Sequence, residues 1–226
     1  MNELHLQDKF LLPFFCNDLG YNEVKANTVT NSLIIEEDLE FFISETDLNK
    51  KAYDTLLKKY KGDRALLLKE LIELIQERIG SSRNMALFIN ANKSITLQGV
   101  KLHLFYPSDS VIHGNKLFEQ NIFSVVQELP YKFKFQGEQI FSFRPDIVLF
   151  VNGIYLGYSE LKSNYTSQNA SKNGRGKVIK DYFEAVKAYH QHIDSNDMLS
   201  ENEKLALRKD FLKVFEKAIH ITTTDI

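Results

Sequence analysis

Two apolar runs on either side of Asn152-Gly153 constrain the fold more than any other feature of this sequence. The first run covers residues 147–151 and the second covers residues 154–159, and neither contains a charged side chain. An Asn-Gly pair between two such runs is a strong signal for a β-hairpin. Uninterrupted apolarity indicates strands that are covered on both faces. We therefore expect this hairpin to lie at the centre of a sheet.

Three charged side chains stand at the outer ends of the predicted hairpin. Asp146 precedes the first run, and Glu160 and Lys162 end the second. Burying a charge without a partner is costly, so these residues need an explanation. A three-residue loop at 151–153, or an equivalent bulge elsewhere in the hairpin, would bring the three side chains to one face of the sheet. A two-residue turn would point Glu160 away from Asp146, so we predict the three-residue loop.

The chemistry of this trio favours a bound cation. Two neighbouring carboxylates repel, which favours either a shared proton or a metal ion between them. Oxygen ligands suit Mg²⁺ or Mn²⁺, and the main-chain carbonyl of Leu161 can add a ligand. Lys162 can orient or help deprotonate an attacking water, or offset charge on a phosphate. The residues alone also allow a structural salt-bridge cluster at the ends of the strands.

The context of these residues resembles a known nuclease family. Pro145-Asp146, thirteen further residues and then Glu160-Leu161-Lys162 resemble the PD-(D/E)xK nuclease motif. The wider run from Arg144 to Ser163 resembles the N-terminal endonuclease domain of the R (HsdR) subunit of type I restriction enzymes. This resemblance extends over about residues 85–190 of the chain.

The resemblance implies a role for each matching residue. Asp146 and Glu160 would bind the metal, and Lys162 would be the catalytic lysine. Many members carry a Gln-x-x-x-Tyr element on the next helix. Tyr182 matches its tyrosine, whereas Val178 stands where the glutamine is expected.

The resemblance also implies an activity and partners. We expect Mg²⁺-dependent hydrolysis of phosphodiester bonds in double-stranded DNA, and assembly with methyltransferase and specificity subunits. ATP would be used only by motor domains of a longer subunit, because this chain has no G-x-x-x-x-G-K-[S/T] phosphate-binding loop. The same residues leave two alternatives open, which are a catalytically silent docking module of this fold and a free-standing PD-(D/E)xK nuclease.

A basic segment follows the predicted catalytic strand. Its cations surround a Gly-Arg-Gly sequence that opens a helix, and they are Lys172, Arg175, Lys177 and Lys180. The N-terminus of a helix can bind phosphate through its backbone amides, so we predict DNA contacts here and extend them to Tyr182. The alternative is a solvated basic face.

The pattern along the chain predicts one α/β nuclease domain, residues 1–226, with a PD-(D/E)xK (restriction-endonuclease-like) mixed central sheet flanked by helices. A helical insertion covers residues 36–82, and the catalytic core covers residues 85–190. Predicted helices include residues 3–19, bent or interrupted near Pro13, then 48–60, 64–79 capped by Asp63, 177–193, and a last one with a Ser200–Glu203 capping box. Predicted strands are 32–35, 86–90, 100–106, 122–128, 131–135, 139–151, 154–162 and 219–224. The aromatic alternation at 131–135 indicates sheet core rather than a stacking platform for bases.

Composition excludes several classes of protein. The chain of 226 residues has 28 Lys and Arg against 30 Asp and Glu, so binding of nucleic acid through an overall positive charge is excluded. Cys16 is the single cysteine, which excludes a disulfide framework and a cysteine-based zinc site. The apolar runs are too short to cross a bilayer, and the N-terminal charge order is wrong for a secretion signal. We therefore expect a cytoplasmic protein.

Overall fold

The structure is a computed structural model of the chain, and it describes residues 7–88, 90, 93–108, 116–162, 174–218 and 220–225. Its strands are β1 (Asn22–Glu23), β2 (Ser94–Leu97), β3 (Val100–His103), β4 (Phe123–Gln127), β5 (Tyr131–Phe135), β6 (Glu138–Phe143), β7 (Ile147–Val151), β8 (Ile154–Lys162) and β9 (His220–Asp225). Its α-helices are α1 (Glu36–Glu45), α2 (Lys50–Lys59), α3 (Arg64–Ile79), α4 (Ser82–Leu87), α5 (Arg175–Tyr189), α6 (Glu201–Phe211) and α7 (Lys213–Glu216). Helical turns of other widths lie at Gln7–Leu11, Phe14–Asp18, Ala26–Thr28, Phe118–Gln120 and His190–Asp194. Within these described ranges, no helix has the length and apolarity needed to span a membrane.

Five strands form the main sheet, in the order β1-β4-β7-β8-β9. β7 and β8 are joined by only two residues, so they run antiparallel. β8 and β9 run parallel, with Gly157 opposite His220 and Lys162 opposite Asp225. The sheet is therefore mixed. Together with the helices it confirms the prediction of an α/β fold with a mixed sheet.

The chain divides into two compact units. The first unit combines residues 1–26, 125–149 and 156–226, and the second combines residues 27–124 and 150–155. Compact units in one chain are not by themselves independently folding domains. The predicted single domain, with its insertion at 36–82 and its core at 85–190, therefore stays a prediction.

A small core in the first unit anchors the N-terminal segment. Its buried residues are Val125, Ile147 and Leu161, and the apolar side chains packed against them are Leu11, Leu12, Phe15, Cys16, Tyr21 and Leu149. The predicted helix at 3–19 is present over residues 7–18, with wide turns at Gln7–Leu11 and Phe14–Asp18, and residues 1–6 lie outside the described part of the chain. The backbone of Pro13 is itself helical, with φ −56° and ψ −39°, so the helix is not interrupted there.

An aromatic cluster holds the β5–β6 hairpin against the C-terminal helices of the first unit. The ring of Phe133 lies 4.3 Å from that of Phe211, and the ring of Phe143 lies 5.0 Å from that of Phe215. Lys132 is exposed between the buried Tyr131 and Phe133. The aromatic alternation at 131–135 therefore marks sheet core, as predicted.

The second unit contains helices α1 to α4 and the β2–β3 hairpin. Helix α3 has the predicted bounds, and the Asp63 carboxylate accepts a hydrogen bond of 3.0 Å from the amide of Leu66. Its buried side chains recur every fourth residue, as a helix packed on one face requires, and they are Leu67, Leu71, Ile75 and Ile79.

Three secondary-structure predictions are wrong. Residues 86–90 were expected to be a strand, but Ser82–Leu87 is helix α4, which Ser81 caps by accepting a hydrogen bond from the amide of Asn84. The strand expected at 32–35 is absent, because Ile34 and Ile35 make only isolated bridges, to Ile154 and Val29. The strand expected at 139–151 is two strands, β6 and β7, because Pro145 stands between them and has no amide for a sheet ladder.

The loop of the β7–β8 hairpin differs from the prediction. β7 ends at Val151 and β8 begins at Ile154, so the loop has two residues and the predicted three-residue loop is wrong. Asn152 and Gly153 both have positive φ, 49° and 74°, which is the pattern of a type I′ turn. The alternative, a bulge elsewhere in the hairpin, stays a prediction.

Two features explain why this turn needs both residues. Asn152 is completely buried, and its side-chain amide donates hydrogen bonds of 2.9 Å to the Leu104 carbonyl and to Asn121 Oδ1. Its side-chain oxygen accepts a bond of 2.7 Å from the amide of Ile122. A Cβ on Gly153 would lie 2.2 Å from the carbonyl oxygen of Ile35, so no larger residue fits there.

Candidate active site

A cleft of about 720 Å³ opens in the first unit. Its walls come from β5, β6, β8, α5 and the bend between β6 and β7. The lining residues are Gln7, Glu128, Pro130, Lys132, Ser142, Phe143, Arg144, Asp146, Glu160, Lys177 and Asp181. The two carboxylates predicted from the sequence, Asp146 and Glu160, therefore line the same cleft.

Asp146 is fixed by hydrogen bonds at both its side chain and its main chain. Its Oδ2 accepts a bond of 2.6 Å from the amide of Leu161 on β8. Its carbonyl oxygen accepts one of 2.9 Å from the amide of Glu128 and one of 2.8 Å from the side chain of Gln7. Asp146 precedes β7, so strand alternation does not set its direction. This explains how both carboxylates reach one cleft although the turn has two residues.

Glu160 carries a buried negative charge. Its side chain is 1 % exposed, and its Oε1 accepts a hydrogen bond from the ammonium of Lys177, which is 40 % exposed. A buried charge is tolerated when an opposite charge compensates it, and Lys177 supplies that charge from the first turns of α5. The sequence predicts a DNA contact for Lys177, whereas the structure places its ammonium on Glu160.

Asp181 adds a third carboxylate that the sequence analysis missed. It lies one helical turn after Lys177 on α5 and lines the same cleft. Burial raises the pKa of its carboxyl group above the ordinary value of 3.8, while the charge of Lys177 lowers that pKa and the charge of Glu160 raises it. The Lys-x-x-x-Asp spacing on a helix that follows the strand was a signal available in the sequence.

The acidic side chains do not form a three-carboxylate cage. Among the described residues there is no group of three or more His, Cys, Asp or Glu close enough to hold one metal ion. Asp181 therefore belongs to the electrostatic surroundings of Glu160, and the predicted ligand set remains Asp146, Glu160 and the carbonyl of Leu161. Leu161 itself is completely buried, at the position where its amide contacts Asp146.

Burial and negative charge also affect Tyr158, two residues before Glu160. Its hydroxyl is buried and has no hydrogen-bond partner among the described residues. Burial raises the pKa of this hydroxyl, and the charges of Asp181 and Glu160 raise it further. Tyr158 thus stays a neutral phenol beside the acidic cleft.

The other predicted site residues lie outside the cleft or outside the described part of the chain. Arg175 is exposed, Lys180 is paired with Glu184 at 3.6 Å, and Tyr182 packs on Phe215, with ring centroids 5.7 Å apart. None of these three is among the lining residues that the structure describes. The backbone of Lys162 pairs with β9, but its side chain lies outside the described atoms, as does the whole of Lys172.

Two cations that the sequence analysis did not single out line the cleft. Lys132 projects from β5, on the face opposite its aromatic neighbours. Arg144 pairs with Glu128 at 3.6 Å, and both side chains are partly exposed. The period-two alternation of 131–135 was the signal for Lys132, because it separates the lysines from the buried aromatic residues.

The geometry defines a carboxylate-lined cleft beside two inner strands of a mixed sheet, and a family comparison agrees with it. The family described as type I restriction enzyme R protein N terminus (HSDR_N) matches residues 1–204. The chain belongs to this family, as the resemblance in the sequence predicted. Membership connects the chain with a type I restriction system and suggests nuclease activity in general. No curated protein and no solved structure matches the chain.

Proposed function

We propose that this chain is the PD-(D/E)xK endonuclease domain of a type I restriction R subunit, a type I site-specific deoxyribonuclease that hydrolyses DNA phosphodiester bonds with Mg²⁺. The observation that carries the proposal is the joint placement of Asp146 and Glu160 on one cleft. Their order and spacing match the motif, and the chain belongs to a restriction family.

The donor chemistry of the cleft fits a hard divalent cation. Asp146 and Glu160 supply carboxylate oxygens, and the carbonyl of Leu161 adds a neutral oxygen; these are the ligands that Mg²⁺ and Mn²⁺ prefer. Glu160 is already neutralised by the ammonium of Lys177, which indicates that this position favours positive charge. When bound, such an ion would polarise the phosphate and lower the pKa of a water nucleophile.

The protein's own groups would prepare this site. The amide of Leu161 holds the Asp146 carboxylate in one orientation, so little rearrangement is needed to bind a cation. Lys132 and Arg144 are positive groups at the same cleft, where they can attract the phosphates of DNA. Lys162 is proposed as the catalytic lysine, which orients the nucleophile or offsets charge on the phosphate. Lys172, Arg175, Lys180 and Tyr182 are proposed as further DNA contacts.

DNA delivery is assigned to other parts of the assembly. The chain has a net charge of −2, so strong independent binding to DNA is not expected. We propose that the specificity and methyltransferase subunits and an ATP-driven motor bring DNA to the cleft. The isolated chain is then expected to cleave DNA poorly or not at all.

The test is a DNA cleavage assay on the assembled restriction complex with ATP hydrolysis measured in parallel. Asp146→Ala and Lys162→Ala are each expected to lower cleavage by at least ~100-fold, the size of effect seen when one preorganised charged or polar group is removed from a transition state. ATP turnover should persist. Glu128→Gln is the matched control, because Glu128 lines the cleft but pairs with Arg144.

Two outcomes would select the alternatives. An Asp146→Ala complex that cleaves normally would leave a docking module of the same fold. Cleavage by the isolated chain at the rate of the complex would indicate a free-standing nuclease.

A further inference from the structure

Lys177 approaches Glu160 from the open side of the cleft. The Glu160 side chain is 1 % exposed and the Lys177 side chain is 40 % exposed. The carboxylate is therefore held in the protein, whereas the lysine side chain is partly in solvent. The lysine side chain has a flexible four-carbon stem, so the ammonium can move while the helix stays in place. The Glu160 side chain has no comparable freedom because it is buried and projects from strand β8.

Asp181 offers the same ammonium a second position. It lies four residues after Lys177 on α5, which is the spacing at which side chains on a helix meet. The charge of Lys177 already acts on Asp181, and so does the charge of Glu160. One ammonium thus pairs with Glu160 and acts electrostatically on Asp181, and of these two carboxylates only Glu160 belongs to the predicted ligand set.

A divalent ion and the ammonium compete for Oε1 of Glu160. Like charges a few ångströms apart repel strongly where water is partly excluded. The divalent ion carries twice the charge and can gain ligands from Asp146 and Leu161 as well, so it displaces the ammonium once its concentration is high enough.

We propose that Lys177 is a positioning residue that occupies the cation position at Glu160 in the metal-free protein and moves to Asp181 when a divalent ion binds. This inference rests on the proposed function of the site. The lysine gives the buried Glu160 carboxylate an ionic partner before the metal arrives. It also sets the metal concentration at which the site fills.

The first test is Mn²⁺ calorimetry on the full 226-residue chain at pH 8. Lys177→Met is expected to bind Mn²⁺ at least about tenfold more tightly than the wild type, a change of about 1.4 kcal/mol. Lys187→Met is the matched control on the same helix, because Lys187 is exposed and lies ten residues after Lys177; its Mn²⁺ affinity should equal that of the wild type.

Unchanged or weaker binding by Lys177→Met would overturn the inference while leaving the metal site in place. If neither the wild type nor Lys177→Met binds Mn²⁺, the proposed function fails together with the inference. The two failures are therefore distinguishable in one experiment.

The second test uses Asp181→Asn, which preserves the shape of the side chain. With no second carboxylate available, the ammonium stays on Glu160, and we expect Mn²⁺ affinity to fall about threefold, roughly half a power of ten. In a Lys177→Met background the same change should alter affinity by less than about twofold, because the competing ammonium is gone. Equal effects in both backgrounds would contradict the movement of Lys177 to Asp181.

A third measurement separates this role from simple packing. In metal-free buffer, Lys177→Met should lower the unfolding temperature because Glu160 loses an ionic partner, and adding Glu160→Gln or Mn²⁺ should restore it, because each offsets the buried negative charge. A loss that persists in the Lys177→Met, Glu160→Gln double variant would show that Lys177 acts through its packing, and the inference would be wrong.

Discussion

Two sets of buried polar side chains are held in opposite ways. At the β7–β8 turn, the Asn152 amide bonds to a carbonyl, an amide oxygen and a backbone amide, all neutral groups of the protein. In the cleft, Glu160 is charged and its partner is the partly exposed ammonium of Lys177. Neutral bonds of the first kind stabilise the fold, whereas a charge held by a flexible cation can exchange that cation for another. The comparison separates a structural polar group from one suited to ligand binding.

The largest expected effect is at the turn. Gly153→Ala places a Cβ 2.2 Å from the Ile35 carbonyl oxygen at a positive φ, so we expect a loss of about 4 kcal/mol in the free energy of unfolding. Gly137→Ala is the matched control: its φ is also positive, but nothing lies within 4 Å, and about 1 kcal/mol is expected. Urea denaturation measures both. Equal losses of unfolding free energy in the two variants would mean that the close approach of Ile35 to Gly153 does not affect stability.

Asn152→Ala should act on stability alone. Three hydrogen bonds disappear, and the buried groups at their other ends lose a hydrogen-bond partner. The free energy of unfolding is therefore expected to fall by about 3 kcal/mol. Mn²⁺ affinity, measured by calorimetry well below the unfolding temperature, should stay within about twofold of wild type. A large change in Mn²⁺ affinity would remove the distinction between the two sets of residues.

Glu160→Gln should show the reverse pattern. Mn²⁺ affinity is expected to fall by at least ~100-fold, about 2.7 kcal/mol, because a charged ligand becomes a neutral one. Stability should change little, since the amide can still accept a hydrogen bond from Lys177. Calorimetry and thermal denaturation on the same samples give both values. Wild-type Mn²⁺ affinity in this variant would exclude Glu160 as a ligand.

The smallest expected effect is the pH dependence of Asp181→Asn. The pKa of Asp181 is raised in the folded protein, so the folded state holds this proton more tightly than the unfolded state. Its contribution to stability is present below pH 3.8 and is lost as the pH rises through the raised pKa. The unfolding temperature of Asp181→Asn, relative to that of the wild type, should therefore rise slightly from pH 4 to pH 7. A constant difference across this range would contradict the assignment.

The sequence predicts elements that local signals define. The cap at Asp63, the aromatic alternation of 131–135 and the bounds of β8 are all confirmed, since each depends on neighbouring residues. The strand predicted at 86–90 fails because a short apolar run fits either a helix or a strand, and the Ser81 cap decides for the helix.

The site is predicted only as far as its motif reaches. Asp146 and Glu160 come from the spacing around the hairpin, and they do line one cleft, although the loop proposed to bring them together is wrong. The prediction of the loop applied strand alternation to Asp146, which lies before β7 and is therefore not bound by it. The partnership of Lys177 with Glu160 depends on how α5 packs on the sheet, which no local pattern encodes.

The most direct measurement is a crystal structure of the chain soaked in Mn²⁺, with data collected near the manganese absorption edge. We expect one strong anomalous peak between the carboxylates of Asp146 and Glu160, and its loss in Glu160→Gln crystals. An empty cleft at saturating Mn²⁺, or a peak that persists in Glu160→Gln, would contradict a metal-dependent active site at these residues.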